Sequence, residues 1–469
     1  MKTIAGIALA GLLLGATGFS ADLDEWEVVV PSSTYLTLMD VTYGAGTFVV
    51  VGETHTPETG AIAEIFTSTD GARWTRRISG VRGTLIGTTY GANGFVSVGA
   101  AHASPGLAEL ILTSPDGISW TRRLAGLSNH LFDVSYGKNG FVAVGLRGAI
   151  AISPDGIIWS DRSLRPSDPA LTLWGVAAEP SMVAVGVSVT SYQGVAANSP
   201  DGVQWTRRNV AGSSLRDVVY GNNHFIAVGE NDTVLRSTNG VNWTASATGV
   251  NGHLLAALFQ DGIFIAVGYP GSVMSSVDGA RWQVHRRGTE LLYGIAYGNG
   301  MYVAVDYDGA ILRTPPPNSP PVAVAEVSLA AEFFSEPPNY VVISPNGLNA
   351  TVALSGSGSS DPDDDALSFL WLEREAGGST TEIARTEQTT VVLPLGRHDL
   401  TLRVGDAVAQ DAHDFQVHVI TASEALEYLL ALVQESDLPR RDKHPLLILL
   451  GHAQRPFEEG DIKAGLHHL

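Results

Sequence analysis

From residue 36 to residue 314 the chain alternates short apolar runs with turn residues, and no run is long enough for a helix. Residues 131–162 show the unit: "LFDVSYG" from 131, "FVAVG" from 141, "AIAIS" from 149 and "IIWSDR" from 157. Each run is rich in β-branched or aromatic residues and bounded by Gly, Asn or Asp, which predicts four short strands. "YGKNGF" and "SPDGIIW" read as hairpin turns, in which Gly supplies the positive φ and Asp or Asn braces the turn through its side chain.

The second turn recurs as "TSTDGARWTRR" (67), "TSPDGISWTRR" (113), "ISPDGIIWSDR" (152), "NSPDGVQWTRR" (198), "RSTNGVNWTAS" (236) and "SSVDGARWQVH" (275). It places Asp70, Asp116, Asp155, Asp201 and Asp278, with Asn239 in the fifth copy, four residues before Trp74, Trp120, Trp159, Trp205, Trp243 and Trp282. The tryptophans are spaced by 46, 39, 46, 38 and 39 residues. A period near 40 with strand-like contents predicts a β-propeller. Each Trp is expected on the outer strand, packed between neighbouring blades. A seventh unit starts at Leu292 with three strands and no Trp; the missing strand is "LDEWEVVVP" near the N-terminus, carrying Trp26. A ring closed by its first strand has no open edge, so residues 22–314 are predicted to form seven blades.

A motif present six times is structural, because an active site has to break the symmetry. "S-x-D-G-x-x-W" resembles the Asp-box (BNR-like repeat) of sialidase-like propellers, although it is one residue shorter between Asp and Trp. The longer pattern "L-x-D-V-x-Y-G … F-V-A-V-G … S-x-D-G-x-x-W" resembles the seven-bladed propellers related to the photosystem II assembly factor family. The resemblance implies the fold and leaves function open. A sialidase-like enzyme would need an arginine triad, a Tyr–Glu nucleophile pair and an Asp acid, and no such arginine element stands near the first blade. No catalytic residue is assigned. Arg76–Arg77, Arg122–Arg123, Arg207–Arg208 and Arg286–Arg287 repeat at one place in the unit and read as a solvated blade edge; His55, His102, His130, His224 and His253 stand alone.

Asymmetry is the more informative signal. Aligning the innermost strands gives one variable column: Met39, Ile86, Phe132, Trp174, Arg216, Leu255 and Tyr293. Phe132, Trp174, Arg216 and Tyr293 are the candidate ligand-binding residues at one mouth of the channel, where aromatic faces and a cation suit a sugar or a peptide. Packing between blades is the competing explanation of that column. Three stretches, from residues 53, 100 and 187, read as long rim loops, the usual location of binding residues.

The N-terminus, "MKTIAGIALAGLLLGATGFSADLDEW", has one Lys, an apolar run from Ile4 to Leu14 and then small residues. It reads as a secretory signal peptide over residues 1–21, too short for a comfortable membrane span. No later stretch is long enough to cross a bilayer. Cys is absent, which removes disulfides and thiolate metal sites. The net charge of -20 argues against phosphate-mediated nucleic-acid binding. That charge is concentrated: residues 318–469 carry 23 acidic and 9 basic side chains, against 25 and 19 before them.

Residues 315–321 are a Pro-rich linker. Residues 322–421 alternate apolar positions between turns, as a β-sandwich does. "GSGSSDPDDDALSFLW" and "LPLGRHDLTLRVGD" resemble the PKD domain, an immunoglobulin-like module of secreted proteins. Some members of that family bind calcium near the acidic turn, which implies Ca²⁺ at Asp361, Asp363, Asp364 and Asp365; a solvated turn is the alternative. Residues 422–469 change to a helical period, with Ser423 as candidate N-cap and three helices expected. The expected whole is a secreted or surface-located bacterial protein, monomeric, whose propeller recognises an extracellular glycan or protein, with the PKD-like domain as spacer. A glycan-active enzyme and a protein-assembly scaffold are the rivals.

Overall fold

The computed structural model describes residues 23–58, 60–102, 107–164, 170–246, 248–249, 251–328, 332–336, 339–375, 377–458 and 464. The expected signal peptide lies outside these residues. The chain divides into two compact units, residues 1–317 and 318–469, so the boundary falls inside the Pro-rich linker. Among the described residues no helix is long and apolar enough to cross a membrane.

The first unit is a β-propeller built of five four-stranded sheets and one seven-stranded sheet. The third repeat is typical: Leu131–Gly137, Gly140–Gly145, Ile150–Ser153 and Ser160–Asp161 follow one another antiparallel from the channel outwards. The second strand is buried throughout, because neighbouring sheets cover both its faces. This explains a run such as "FVAVG" that shows no polar alternation. The seven-stranded sheet arises because Thr75–Gly91 runs on without a break, pairing with Gly60–Ser68 at one end and with Gly94–His102 at the other. The innermost strands neighbour one another in a closed cycle, from Leu36–Gly44 round to Leu292–Gly298 and back.

The N-terminal strand Glu27–Val30 pairs with Ile311–Arg313, and Glu27 lies opposite Arg313, their side chains 2.5 Å apart. Leu23 is buried and Trp26 half-buried against the sheets built from 253–286 and 292–313. The turn motif owes its recurrence to hydrogen bonds. In the second copy Ser114 Oγ donates to Asp116 Oδ1, which also accepts the N–H groups of Ile118 and Ser119. These donors hold the Asp116 carboxyl below its usual range. Trp120 Nε1 donates to Gly117 O, and the same bond occurs at Trp74, Trp159, Trp205 and Trp282. In these five copies the Trp closes the turn, whereas Trp243 Nε1 is buried without a hydrogen-bond partner; all six stand just before the outer strand, not on it as the pattern suggested.

Three further expectations change. Among the described residues, the stretches from 53 and 100 are mostly extensions of hairpins, Thr47–Thr56 against Gly60–Ser68 and Gly94–His102 against Leu107–Ser114. The stretch from 187 likewise continues Met182–Ser188 into Gln193–Ser199. The arginine pairs are only partly a solvated edge: Arg76 reaches back to the buried Glu64, and Arg286 to Glu290.

In the second unit a three-stranded and a six-stranded sheet enclose one core around Trp371, Leu402, Val352 and Val417. Two helices follow, α1 (Ala422–Glu435) and α2 (Arg440–Glu458). Thr421, not Ser423, is the N-cap: it exchanges bonds with Glu424 in a capping box, a spacing that Ser423 lacks. The third expected helix falls almost entirely outside the described residues.

Candidate functional site: the channel mouth

All seven residues of the variable column line one cavity of about 340 Å³, together with Tyr307 and the waist residues described below. Their shared direction has a local cause. In every innermost strand the register slips at this residue: the partners jump from Leu38 to Asp40, from Leu85 to Gly87, from Leu173 to Gly175, from Leu215 to Asp217, from Leu254 to Ala256 and from Leu292 to Gly294. In the third repeat Val144 pairs with Asp133 and Gly145 with Leu131, so Phe132 is skipped in the same way. The column is a ring of β-bulges, and a bulge re-aims its side chain. The glycine ending "VAVG" permits it. A Cβ at Gly145, Gly186, Gly229 or Gly268 would overlap the carbonyl oxygen of His130, Thr172, Ser214 or His253 across the ladder.

The mouth has two characters. Phe132 stacks on Trp174 with ring centres 4.5 Å apart, and the Arg216 guanidinium lies 4.4 Å from the Trp174 ring centre. Arg216 also pairs with Glu230, its Nε 3.1 Å from Oε1. Tyr293 packs on Tyr307 at 5.2 Å, and burial pushes its hydroxyl above the usual range. Met39, Ile86 and Leu255 complete the wall with aliphatic surface. Thus Phe132, Trp174, Arg216 and Tyr293 do meet at one mouth. The cation expected to await a ligand already has a carboxylate partner, and the Trp174 face is occupied.

Below the mouth, sequence reasoning missed a waist of three half-buried aspartates, Asp40, Asp133 and Asp217, which border both this cavity and the one beyond it. Each accepts two backbone N–H groups, one from its own strand and one from the next innermost strand of the ring. Asp133 takes Val134 N at 2.7 Å and Val176 N at 2.7 Å; Asp40 takes Val41 N and Thr88 N; Asp217 takes Val218 N and Ala257 N. The sheets between them carry Gly87 and Gly175. A Cβ at Gly175 would sit 2.6 Å from Asp217 Cα, so the close approach requires glycine. Burial raises all three carboxyls, Asp133 to about 7 and Asp217 to about 6, and the Asp217 charge adds to the effect on Asp133. The available signal was the Asp of "L-x-D-V-x-Y-G", a charge in the middle of an apolar strand. With both oxygens committed to N–H donors, these groups are inter-sheet staples.

In the second unit, the ligand atoms of Asp361, Asp363 and Asp365 lie within 4.8 Å of one another. Asp361 Oδ2 is buried without a hydrogen-bond partner, while Asp361 Oδ1 accepts Asp363 N and Asp365 N. Asp364 has φ 61° and does not join the group.

Residues 153–320 match the model of the DUF6242 beta propeller domain. No curated protein matches the chain. Among solved structures it is similar to a catalytically inactive virginiamycin B lyase from Staphylococcus aureus with quinupristin, at 10% identity and TM-score 0.50, over 62% of this chain and 99% of that one. It is also similar to YCF48 from Cyanidioschyzon merolae, at 19% identity and TM-score 0.46, over 63% and 99%. A third is the WD40 beta propeller domain of Doa1, at 11% identity and TM-score 0.47, over 62% and 97%. These likenesses are of fold.

Proposed function

We propose that this chain is a secreted bacterial recognition protein whose first unit is a seven-bladed propeller that binds an extracellular protein segment at the channel mouth. The observation that carries the reading is the ring of bulges: a uniform repeat aims seven non-uniform side chains into one cavity. Counting Thr75–Gly91 as the outer strand of one blade and the inner strand of the next gives seven four-stranded blades, closed by Glu27–Val30. The leader-like N-terminus and the absence of Cys support export without disulfides.

A protein segment fits better than a glycan. Sugars stack on open aromatic faces, and Phe132, Trp174 and Arg216 spend theirs on one another. Met39 and Ile86 on adjacent strands, and Leu255 on the far side of Tyr293, offer aliphatic surface for an apolar side chain, and the Arg216–Glu230 pair beside Leu255 offers polar contacts. A sialidase-like reaction is disfavoured, because Arg216 is the one arginine among the described cavity residues and it is paired. In the second unit the acidic turn of the PKD-like spacer would hold Ca²⁺ through Asp361, Asp363 and Asp365, where the unpartnered Asp361 oxygen favours a cation.

The test is a parallel screen of peptide and glycan arrays with the full chain and with Leu255→Asp. A charge placed on this part of the apolar wall should abolish peptide capture while the thermal midpoint changes little. Capture of glycans alone, or capture unaffected by Leu255→Asp, would place the function elsewhere.

A further inference from the structure

We propose that Asp24, His285 and Ser275 form a nucleophilic centre for carboxylic esters at the outer rim of the propeller, independent of the channel mouth. In the repeat, the residue that opens the turn motif faces the residue ten positions later. Arg77 Nε donates to Thr67 Oγ1 at 2.8 Å, Arg123 Nε to Thr113 Oγ1 at 3.1 Å, and Arg208 Nη1 to Asn198 Oδ1 at 2.5 Å. In the sixth copy these two places hold Ser275 and His285. Ser275 Oγ lies 2.8 Å from His285 Nε2, and His285 Nδ1 lies 2.8 Å from Asp24 Oδ1.

The substitution reverses the chemistry. A guanidinium can only donate, whereas an imidazole can accept. Asp24 is an exposed carboxylate and only accepts, so Nδ1 must carry the proton facing it. In the neutral imidazole Nε2 is then the free lone pair, to which the Ser275 hydroxyl donates. This is the hydrogen-bond order by which a serine is activated. His285 is the extra residue of a bulge between Val273↔Arg286 and Met274↔Val284, on the face it shares with Ser275. Its side chain is 12% exposed, which fixes its orientation, while Ser275 remains half-buried and reachable. Asp24 comes from the N-terminal segment, beside the buried Leu23, so the three residues meet only once that segment is docked. In none of the other five copies do these two places hold a Ser and a His.

The step balances as an ordinary acyl transfer. Ser275 Oγ bonds to the ester carbon as the carbonyl π pair moves onto oxygen, and the Oγ proton passes to His285 Nε2. The carbonyl re-forms, the C–O bond to the leaving group breaks, and the departing alkoxide or phenoxide takes that proton. Water repeats the sequence on the acyl-serine and releases the acid. The Ser275 backbone is held in the ladder between Ile265 and Gln283, not at a helix start with free N–H groups. Oxyanion stabilisation is therefore modest, which suits esters with good leaving groups and not amides.

The full chain is treated with a fluorophosphonate probe and with p-nitrophenyl acetate, and adducts are located by peptide mass mapping. One adduct per chain, at Ser275, is expected. Asp24→Asn should slow labelling about a hundredfold, because the amide donor forces the proton onto Nε2. The double variant Ser275→Thr with His285→Arg restores the pair used elsewhere in the repeat, so it should keep the wild-type thermal midpoint and lose the label. Labelling that is absent, that maps to another residue, or that matches wild type in Asp24→Asn would overturn the proposal.

Discussion

Raising the pH from 5 to 8 should destabilise the propeller through its waist. Asp40, Asp133 and Asp217 have folded pKa values above their unfolded ones, since burial disfavours the charged form. Such a group holds its proton longer in the native state. Its stabilising contribution is complete below the unfolded value near 4 and is lost as pH rises through the folded value. For Asp133, at about 7, the decline spans roughly pH 4 to 7. Asp133 and Asp217 titrate as a pair, and at about 1.4 kcal/mol per pH unit they together predict a fall on the order of a few kcal/mol above pH 5. Asp217, at about 6, acts in the same direction. The turn aspartates do not interfere: Asp70, Asp116, Asp155, Asp201 and Asp278 are lowered, and their contribution is lost only as pH falls through their folded values, below about 4. His130, lowered by burial, works the other way, adding stability as pH rises toward its unfolded value. The comparison that isolates the waist is therefore wild type against Asp133→Asn. Urea unfolding followed by Trp fluorescence is the assay, because eight of the nine tryptophans lie before residue 318. Asp133→Asn removes one acceptor from Val176 N, costing about 1–3 kcal/mol at every pH, but should flatten the slope. Equal slopes in the two proteins would refute the assignment of the pH dependence to the waist.

Ring closure predicts that Leu23→Ala, which empties a buried site next to Trp26, lowers propeller stability by about 2–4 kcal/mol, read from the urea midpoint at unchanged m. No change in midpoint would mean that the N-terminal segment is not part of the folded ring. At the acidic turn, Ca²⁺ should raise the thermal midpoint of the second unit in full-length protein, and Asp361→Asn should abolish the rise. Unfolding curves that superimpose with Ca²⁺ and with EGTA would leave Asp361, Asp363 and Asp365 as a solvated turn.

The propeller architecture of the first unit was legible in the residues alone. Strand length, the forty-residue period and the Ser–Asp–Gly–Trp turn are local properties, carried by hydrogen bonds between residues two or three apart, such as Ser114 to Asp116 and Trp120 to Gly117. The variable column was legible for the same reason: alignment of repeats exposes whatever departs from them. What those side chains do depends on contacts made across the ring. The bulge that turns Trp174 into the channel depends on Gly186 in the adjacent strand. The state of Arg216 depends on Glu230, fourteen residues on, and on a ring from the preceding sheet. Asp133 looked like one polar residue in a strand motif; only the approach of Val176 from the next sheet makes it a staple with a raised pKa. Asp24 and His285 are 261 residues apart and meet because the ring closes. Short-range hydrogen bonding writes itself into a repeat, whereas a contact between sheets depends on where the whole ring places each strand.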